Sequence, residues 1–471
     1  MAVEHVPSPF TAPTLRRPAL PSPRAVVGAL GITALLTGVT LVVLVATSRV
    51  TFLVPPATVG FPHWLVGPLD GVFASFDPTR RQLINEFTAT MAALFFAYLL
   101  VLVGASAIRL RWIAGAVVAV HAVLFLSPPL SLTDIFNYVN YGHMAVLHHL
   151  NPYTTVPAAE PSTDTTFALS NWHHLKSPYG PLFTLSTFPL ARLSVPTAYW
   201  ILKTEVIAAS LGTVWIVYRA AVHLGRSPQL AVAIVGLNPL VLVWGVGGWH
   251  NEALVMLAVT GGLLLVLIGR EALGAVAAVV AVTIKASALI FVPVLIVGAA
   301  RRGRALLGAV VAAVVLGAVS YAAFGAHGPD VSDQSRVVAA VAVPNLVGLG
   351  LGFGGVTDTM RTVLEAGLGA IVLAACFAVW RGRELATWLG IVALAALLTL
   401  TWVLPWYVLW LVPFAALSRS RVLKGAAIVM SAWLIFSWVP LMPDAIHSIG
   451  LRPTHTALGH EHARFVESLL H

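Results

Sequence analysis

Long apolar segments restrict what this chain can fold into more than any other feature of its sequence. Hydrophobic residues make up 58% of its 471 residues and charged residues only 10%, whereas a soluble domain carries about 25% charged residues. Many of the apolar segments are long enough to cross a bilayer, so the sequence predicts an all-α integral membrane protein with about thirteen transmembrane helices. The predicted spans are residues 25–48, 88–107, 112–127, 196–218, 229–246, 253–268, 272–284, 286–300, 305–324, 363–379, 386–404, 406–417 and 422–441.

The basic residues predict how these spans are oriented. The formal net charge is +9, but the Lys and Arg residues cluster in short loops between apolar segments rather than in one basic surface. With the N-terminus in the cytoplasm, every short basic loop falls on the cytoplasmic side, as the positive-inside rule requires. This assignment holds only if residues 180–193 do not cross, so we expect a re-entrant or interfacial segment there. The loops 49–87, 128–196 and 325–362 then face outward from a multi-pass plasma-membrane protein.

Composition also divides the chain. The Pro-rich residues 1–24 predict a disordered cytoplasmic tail, residues 25–442 a polytopic transmembrane catalytic domain, and residues 443–471 an extracytoplasmic tail for which disorder is the default expectation. The single cysteine, Cys376, lies in an apolar segment, so no intrachain disulfide framework is possible. No phosphate-binding loop, dinucleotide motif, zinc spacing or esterase elbow is present in the sequence.

The first candidate site residues follow the third predicted span. Asp134, Asn137, Tyr138 and Tyr141 share one face of a predicted amphipathic helix that lies along the outer membrane surface. A carboxylate flanked by phenols suits a general base that removes a proton from a sugar hydroxyl. The alternative is structural, because Ser131 and Asp134 have the spacing of a helix capping box.

A second cluster occupies residues 171–181, in the same predicted outer loop. Trp172, His173 and Tyr179 can stack on a sugar or a lipid headgroup, and Lys176 can contact a phosphate as a point charge. The alternative is an interfacial belt, in which Trp, Tyr and Lys anchor a membrane segment.

The third cluster lies where one predicted span ends outside and the next begins. Asn251 can cap the new helix and Glu252 can complement its dipole. His250 is then left to donate to a phosphate oxygen or to act as an acid or base, unless it is a structural interfacial histidine.

Lys285 separates two short apolar segments, 272–284 and 286–300. A Lys at the centre of an isolated span costs about 2.5–3.5 kcal/mol on insertion scales. Lys285 therefore lies either on one tilted helix, paired inside the bundle, or at the junction of two half-helices facing a wet cavity. Binding an anionic headgroup explains such a residue, and snorkelling to the interface is the alternative.

Taken in order, these motifs resemble those of the GT-C class of membrane glycosyltransferases, and more narrowly the actinobacterial α-mannosyltransferases that use polyprenyl-phosphate mannose. Each motif is short, and their order and one-sided placement carry the resemblance. The family more often shows a small residue where Trp249 stands, so Trp249 is expected to change acceptor fit. The matching motifs are Asp134-x-x-x-Tyr138, Gly142, Asn151-Pro152-Tyr153, Ser177-Pro178-Tyr179-Gly180-Pro181, Asn238-Pro239, Gly247-Gly248-Trp249-His250-Asn251-Glu252 and Lys285.

The resemblance implies a cell-envelope mannosyltransferase with an extracytoplasmic active site. Its donor would be polyprenyl-phosphate mannose and its acceptor a lipid-linked mannan, such as a lipomannan precursor. Asp134 would be the base of an inverting displacement, and Lys285, His250 and Lys176 would stabilise the phosphate leaving group. No metal, other cofactor or nucleic acid is expected. The predicted substrate-binding residues are Tyr138, Tyr141, Tyr153, Trp172, His173, Tyr179, Trp249, Asn251 and Glu252.

Two alternatives stay open at this point. One is a GT-C transferase for another polyprenyl-phosphate sugar, such as glucose or arabinose. The other is a transporter or flippase for a lipid-linked sugar, which often has internal repeats and polar sites at the membrane midplane. This sequence shows no repeat, and its polar residues gather on one predicted side, which favours surface chemistry.

Overall fold

The computed structural model of the chain describes residues 22–48, 62–73, 75–130 and 132–470. The described residues contain helices and no β-strand, as predicted. Most of the predicted tail 1–24, and Ser131, lie outside them. The α-helices are α1 Pro23–Ala46, α2 Arg80–Gly104, α3 Leu110–Phe125, α4 Asp134–Val146, α5 Pro181–Thr187, α6 Val195–His223, α7 Pro228–Gly236, α8 Glu252–Leu267, α9 Glu271–Ile284, α10 Val292–Gly298, α11 Arg302–Phe324, α12 Ser332–Arg336, α13 Val343–Gly350, α14 Asp358–Trp380, α15 Leu385–Thr399, α16 Val412–Leu417, α17 Arg421–Trp438, α18 Met442–Ser448 and α19 Ala457–Leu470.

Short irregular helices link several of these elements. A π-helix spans Val241–Val246. The 3₁₀ helices are His63–Leu65, Gly67–Leu69, Ala105–Ala107, Pro157–Ala159, Phe167–Leu169, Leu190–Arg192, Ala286–Phe291, Pro405–Trp410 and Pro453–His455.

The apolar helices make this a membrane-embedded protein. Among the described residues, six helices are long and apolar enough to cross a bilayer: Pro23–Ala46, Arg80–Ala107, Val195–His223, Arg302–Phe324, Asp358–Trp380 and Arg421–Trp438. Shorter apolar helices are Leu110–Phe125, Glu252–Leu267, Glu271–Ile284, Ala286–Gly298, Leu385–Thr399 and Pro405–Leu417. These helices coincide with most of the predicted spans, while the total number of crossings stays a prediction.

In the described structure, the breaks in regular helix after α7, α9 and α15 present site residues. After α7, Asn238 accepts hydrogen bonds from the N–H groups of Leu240 and Val241, at 3.0 and 3.4 Å, where Pro239 follows. The π-helix then leads to residues 247–251. After α9, Lys285 is extended, with φ −153° and ψ 125°, so the helix is broken there, as the half-helix alternative predicted. The Lys285 side chain is nevertheless paired with buried Glu252, as the other alternative predicted. After α15, residues 400–404 precede the 3₁₀ helix Pro405–Trp410.

The helix that begins at Asp134 differs from its prediction. An amphipathic surface helix should expose one face, but residues 134–144 of α4 are all buried. The helix α5, the 3₁₀ helix Leu190–Arg192 and α6 pack against it. Gly142 allows one of these contacts, because a Cβ there would lie 2.7 Å from the Thr187 carbonyl oxygen. The cluster that includes Asp134 is therefore enclosed, not spread on a surface.

The C-terminal segment is also more ordered than expected. Residues after 442 form α18 and α19, although composition favoured disorder. Leu469 packs against Leu175 and Val337, and its carbonyl accepts a hydrogen bond from the His174 N–H at 3.1 Å. The amphipathic pattern of α19 explains this result, since its apolar face covers the loop that carries the second cluster.

Candidate active site

Asp134 is held at the start of α4 with its carboxylate in a narrow cavity. The helix begins at Asp134 itself, with Thr133 in the N-cap position, so Asp134 does not occupy the third helical position that a capping box needs. Its side chain is 11% exposed, and Oδ2 lies 3.2 Å from Nδ1 of His250. Within the described residues Oδ1 has no hydrogen-bond partner, which leaves it available to a substrate.

His250 lies directly behind this carboxylate. Its ring stacks on Trp406, with ring centroids 3.4 Å apart and an interplanar angle of 11°. Neither ring nitrogen makes a hydrogen bond of standard geometry to the described part of the chain. A buried polar group without a partner costs about 1–3 kcal/mol, so this arrangement favours a functional histidine beside Asp134.

The two residues that flank His250 make different contacts. Trp249 adopts φ +59°, a conformation that a bulky side chain rarely accepts. Its indole is fully buried and lies 4.6 Å from Nζ of Lys203, away from the cavity. Asn251 is in the N-cap position of α8, but within the described structure its side chain makes no capping hydrogen bond. Its backbone N–H instead donates to the Tyr138 hydroxyl at 3.3 Å.

Tyr138 is a neutral phenol that lines the narrow cavity of this site. Burial raises its pKa well above the ordinary value, and the carboxylates of Asp134 and Glu252 raise it further. The ring also packs edge-on against Tyr179, at 5.0 Å and 89°. The neutral phenol accepts a hydrogen bond from the Asn251 N–H and lies near the hydroxyl of Tyr179.

Lys285 and Glu252 form a hydrogen-bonded ion pair at one end of the cavity. The Glu252 side chain is 1% exposed and that of Lys285 17%. Nζ of Lys285 also lies 5.0 Å from the ring centre of Tyr407. Because Glu252 already neutralises Lys285 in this structure, its predicted role as an independent substrate-binding residue becomes that of a partner of the cation.

The loop 171–181 packs against the end of α9, where the helix breaks before Lys285. The Gly180 N–H donates to the Ile284 carbonyl at 2.9 Å, and the Ser177 N–H donates to the Pro152 carbonyl at 2.8 Å. A Cβ at Gly180 would lie 2.2 Å from the carbonyl oxygen of Thr283. Only glycine permits this approach, which brings Tyr179 beside Lys285.

These elements enclose two adjoining cavities. The narrower one has a volume of about 50 Å³ and is lined by residues that include Asp134, Glu252 and Lys285. The second, of about 380 Å³, continues past Lys285 with a mainly apolar wall. Both are lined by the same five residues at their junction, Pro178, Lys285, Gln334, Trp402 and Tyr407.

A third cavity, of about 470 Å³, lies on the other side of an aromatic pair. Trp172 and Trp402 pack edge-on with ring centroids 5.4 Å apart. Both rings line this cavity and the narrow one, together with Leu132 and Leu404. The narrow cavity therefore adjoins two larger, mainly apolar spaces, and Trp402 lines all three.

Some predicted residues fall outside the cavity. His173 stacks on Phe167 at 4.0 Å and bonds its carbonyl oxygen. The Tyr153 hydroxyl donates to the Tyr179 carbonyl at 2.8 Å and contacts Thr184. Lys176 interacts electrostatically with Asp330 and lines none of the three cavities. The predicted contact of these three residues and of Trp249 with substrate stays a prediction.

Sequence reasoning missed Arg361, in the first turns of α14. It lines the larger cavity that contains Lys285. Its Nη1 donates to the Thr401 hydroxyl at 3.3 Å, while Nε is buried without a partner among the described residues. No motif surrounds Arg361 in the sequence. The tryptophans at 402, 406 and 410 could have been predicted as cavity-lining residues, because aromatic residues on both sides of Pro405 interrupt a short apolar segment.

Comparisons with known proteins bear on this site. Residues 35–301 match the family described as alpha-(1->6)-mannopyranosyltransferase, N-terminal domain, and residues 335–450 match the MptB C-terminal domain. The first match covers more than half of the chain. The chain therefore belongs to the alpha-(1->6)-mannopyranosyltransferase family, a family of glycosyltransferases.

Individual relatives come from actinobacteria. Alpha-(1->6)-mannopyranosyltransferase A of Corynebacterium glutamicum is 29% identical over 276 residues, which are 52% of this chain and 55% of that protein. This chain thus spans about half the length of that relative. Alpha-(1->6)-mannopyranosyltransferase A of Mycobacterium tuberculosis is 28% identical over 360 residues, 70% of this chain and 69% of the relative. No solved structure matches the chain significantly.

Proposed function

We propose that this chain transfers mannose from polyprenyl-phosphate mannose to a lipid-linked mannan at the extracytoplasmic face, forming an α-(1→6) linkage with inversion and without a metal. The observation that carries the proposal is the narrow cavity, whose lining includes both a carboxylate, Asp134, and a cation, Lys285. The names of the relatives support the sugar and the linkage. An inverting displacement that yields an α-linkage requires a β-linked donor.

Asp134 is the proposed base. Asp134 lines the narrow cavity and its Oδ1 has no hydrogen-bond partner among the described residues. In the proposed reaction its carboxylate accepts the proton of the acceptor hydroxyl as that oxygen attacks the anomeric carbon. His250, 3.2 Å behind Oδ2, orients the carboxylate and stabilises its charge before transfer. General base catalysis of this kind contributes about 10²–10⁴-fold to a rate.

Lys285 and Arg361 are the proposed partners of the leaving phosphate. The two cations line the same cavity, and negative charge grows on the phosphate as the glycosidic bond breaks. Cations and N–H groups aimed at the position where charge develops stabilise the transition state more than they stabilise the bound sugar-lipid substrate. Glu252 holds the Lys285 ammonium in position through their ion pair.

The two larger cavities fit two lipid-linked substrates. The polyprenyl chain of the donor fits the apolar wall of the space behind Lys285. The acceptor then approaches from the opposite cavity, past Trp172 and Trp402, whose rings offer flat apolar faces for sugars. Both substrates reach the narrow cavity between Asp134 and Lys285, so only sugar and phosphate enter the polar space.

A transfer assay with purified protein in lipid nanodiscs tests the proposal. The donors are synthetic polyprenyl-phosphate mannose, the corresponding glucose and arabinose lipids, and a nucleotide-activated mannose; the acceptor is an alkyl α-(1→6)-mannobioside. Transfer only from the mannose lipid, with an α-(1→6) product identified by NMR, is expected. Preference for another sugar lipid, use of the nucleotide sugar, or absence of transfer from every donor contradicts the proposal.

A further inference from the structure

A second polar cluster lies at the opposite end of α4 from Asp134. Nε2 of His148 is 2.9 Å from Oδ2 of Asp164 and 3.9 Å from Oε2 of Glu160. One ligand atom from each of these three residues lies within 4.8 Å of the others. Sequence analysis did not anticipate the cluster, because its members are spread over the loop that follows α4.

Glu160 is the member whose surroundings require an explanation. Its side chain is fully buried, and neither carboxylate oxygen makes a hydrogen bond of standard geometry within the described residues. Burying an unpaired carboxylate is strongly unfavourable. The imidazole of His148 is 3.9 Å from Glu160 and is shared with Asp164, so the cluster favours additional positive charge.

We propose that His148, Glu160 and Asp164 bind a divalent transition-metal ion, of which Zn²⁺ fits the donor set best. One imidazole nitrogen and two carboxylates are ligands that Zn²⁺ accepts, with a fourth position for water. Ca²⁺ and Mg²⁺ prefer oxygen ligands alone, so the imidazole of His148 disfavours them. This site goes beyond the proposed transferase function, which needs no metal.

The neighbours of the three ligands match the support that a metal site needs. His143 Nδ1 lies 3.0 Å from both carboxylate oxygens of Asp164, and the Thr166 N–H donates to Oδ1 at 2.8 Å. Partners of this kind fix the orientation of a ligand and tune its basicity. Asp164 is thus already oriented, while Glu160 has no such partner until an ion supplies the missing positive charge.

The ion has a structural role in this arrangement. His143 and Asp134 are on the same helix, and the rise of about 1.5 Å per residue separates them by about 13 Å along its axis. The ion joins the end of α4 to the loop that contains Glu160 and Asp164. Removing it loosens this loop, which also carries the 3₁₀ helix Phe167–Leu169 beneath His173.

The test uses the full chain, purified with a tag that contains no histidine and treated with chelator. Zn²⁺, Mn²⁺ and Ca²⁺ are titrated separately by calorimetry, bound metal is measured by mass spectrometry, and the melting temperature is followed. We expect about one Zn²⁺ per chain and a higher melting temperature on its addition. Glu160→Gln and His148→Ala should each weaken Zn²⁺ binding at least tenfold.

The control is Asp70→Asn, which removes another carboxylate that contacts a histidine. His63 and Asp70 form an exposed pair at 2.7 Å with no third ligand in the described structure, so this variant should bind Zn²⁺ as the wild type does. A wild-type chain that binds no Zn²⁺ overturns the proposal even where a variant fails to fold. Glu160→Gln with unchanged affinity, or a clear preference for Ca²⁺, overturns it as well.

Discussion

Replacing Asp134 by Asn separates catalysis from structure. The two side chains have nearly the same volume, and only Asp134 can act as a base. No backbone N–H in the described structure donates to the Asp134 carboxylate, so Asn forfeits no cap. What it loses in stability is the favourable interaction of a charge with the helix N-terminus, about 0.3–1 kcal/mol.

The expected loss of activity is much larger. A general base contributes about 10²–10⁴-fold, which is about 2.7–5.4 kcal/mol of activation free energy at 1.36 kcal/mol per tenfold. Mannosyl transfer is measured at saturating donor, and donor affinity separately by equilibrium binding. Turnover should fall by at least about a hundredfold, while donor affinity and melting temperature stay near wild type.

Glu271→Gln is the matched control. Glu271 is the first residue of α9, as Asp134 is the first residue of α4, and both helix starts are buried. Counted over the whole residue, Glu271 is 4% exposed and Asp134 8%. The substitution removes the same charge from an equivalent position that lines none of the three cavities. If Asp134→Asn keeps more than about a tenth of wild-type turnover, or if Glu271→Gln loses as much, the assignment of Asp134 as base is refuted.

Three further variants test other parts of the account. Lys285→Met leaves Glu252 buried without its partner and should lower the stability of the fold by about 3–5 kcal/mol. Adding Glu252→Gln should restore the melting temperature but not donor binding. Recovery of both would show that Lys285 does not belong to the site. Gly180→Ala should lower the melting temperature, because the new Cβ would lie 2.2 Å from a carbonyl oxygen and overpacking costs about 1–3 kcal/mol. Gly115→Ala is the control: its new Cβ would have no described atom within 4 Å, so the melting temperature should stay unchanged. Thr163→Cys in a cysteine-free chain should react with an impermeant maleimide in intact cells, and labelling only after permeabilisation would reverse the predicted orientation.

The apolar pattern was sufficient to predict the helical architecture. Segment length and the scarcity of charged residues predicted segments that coincide with most of the apolar helices. The short segments on either side of Lys285 left both a broken helix and one tilted helix open. The same reasoning failed for α4, because a sequence pattern does not reveal what will cover a polar face. Residues 147–193 supply that cover through α5 and the loops around it.

The cavity could be predicted only in part. Asp134, His250 and Lys285 stand out because each is polar beside an apolar segment. The pairing of Lys285 with Glu252 depends on how α8 and α9 pack, and the contribution of Arg361 depends on α14, which is distant in sequence. Lys203 shows that a polar residue within a predicted span need not belong to the site. Its ammonium donates to the Ser127 carbonyl at 2.7 Å and lies among aromatic rings.

The central claim is that the donor phosphate binds between Lys285 and Arg361 with its mannose directed towards Asp134. A cryo-electron-microscopy structure with a non-hydrolysable polyprenyl-phosphonate mannose analogue measures this directly. The account predicts phosphonate oxygens within hydrogen-bond distance of both cations, the isoprenoid chain in the cavity of about 380 Å³, and the anomeric carbon facing the Asp134 carboxylate. A phosphonate bound in the cavity beyond Trp172 and Trp402, or outside the reach of Lys285, would contradict it.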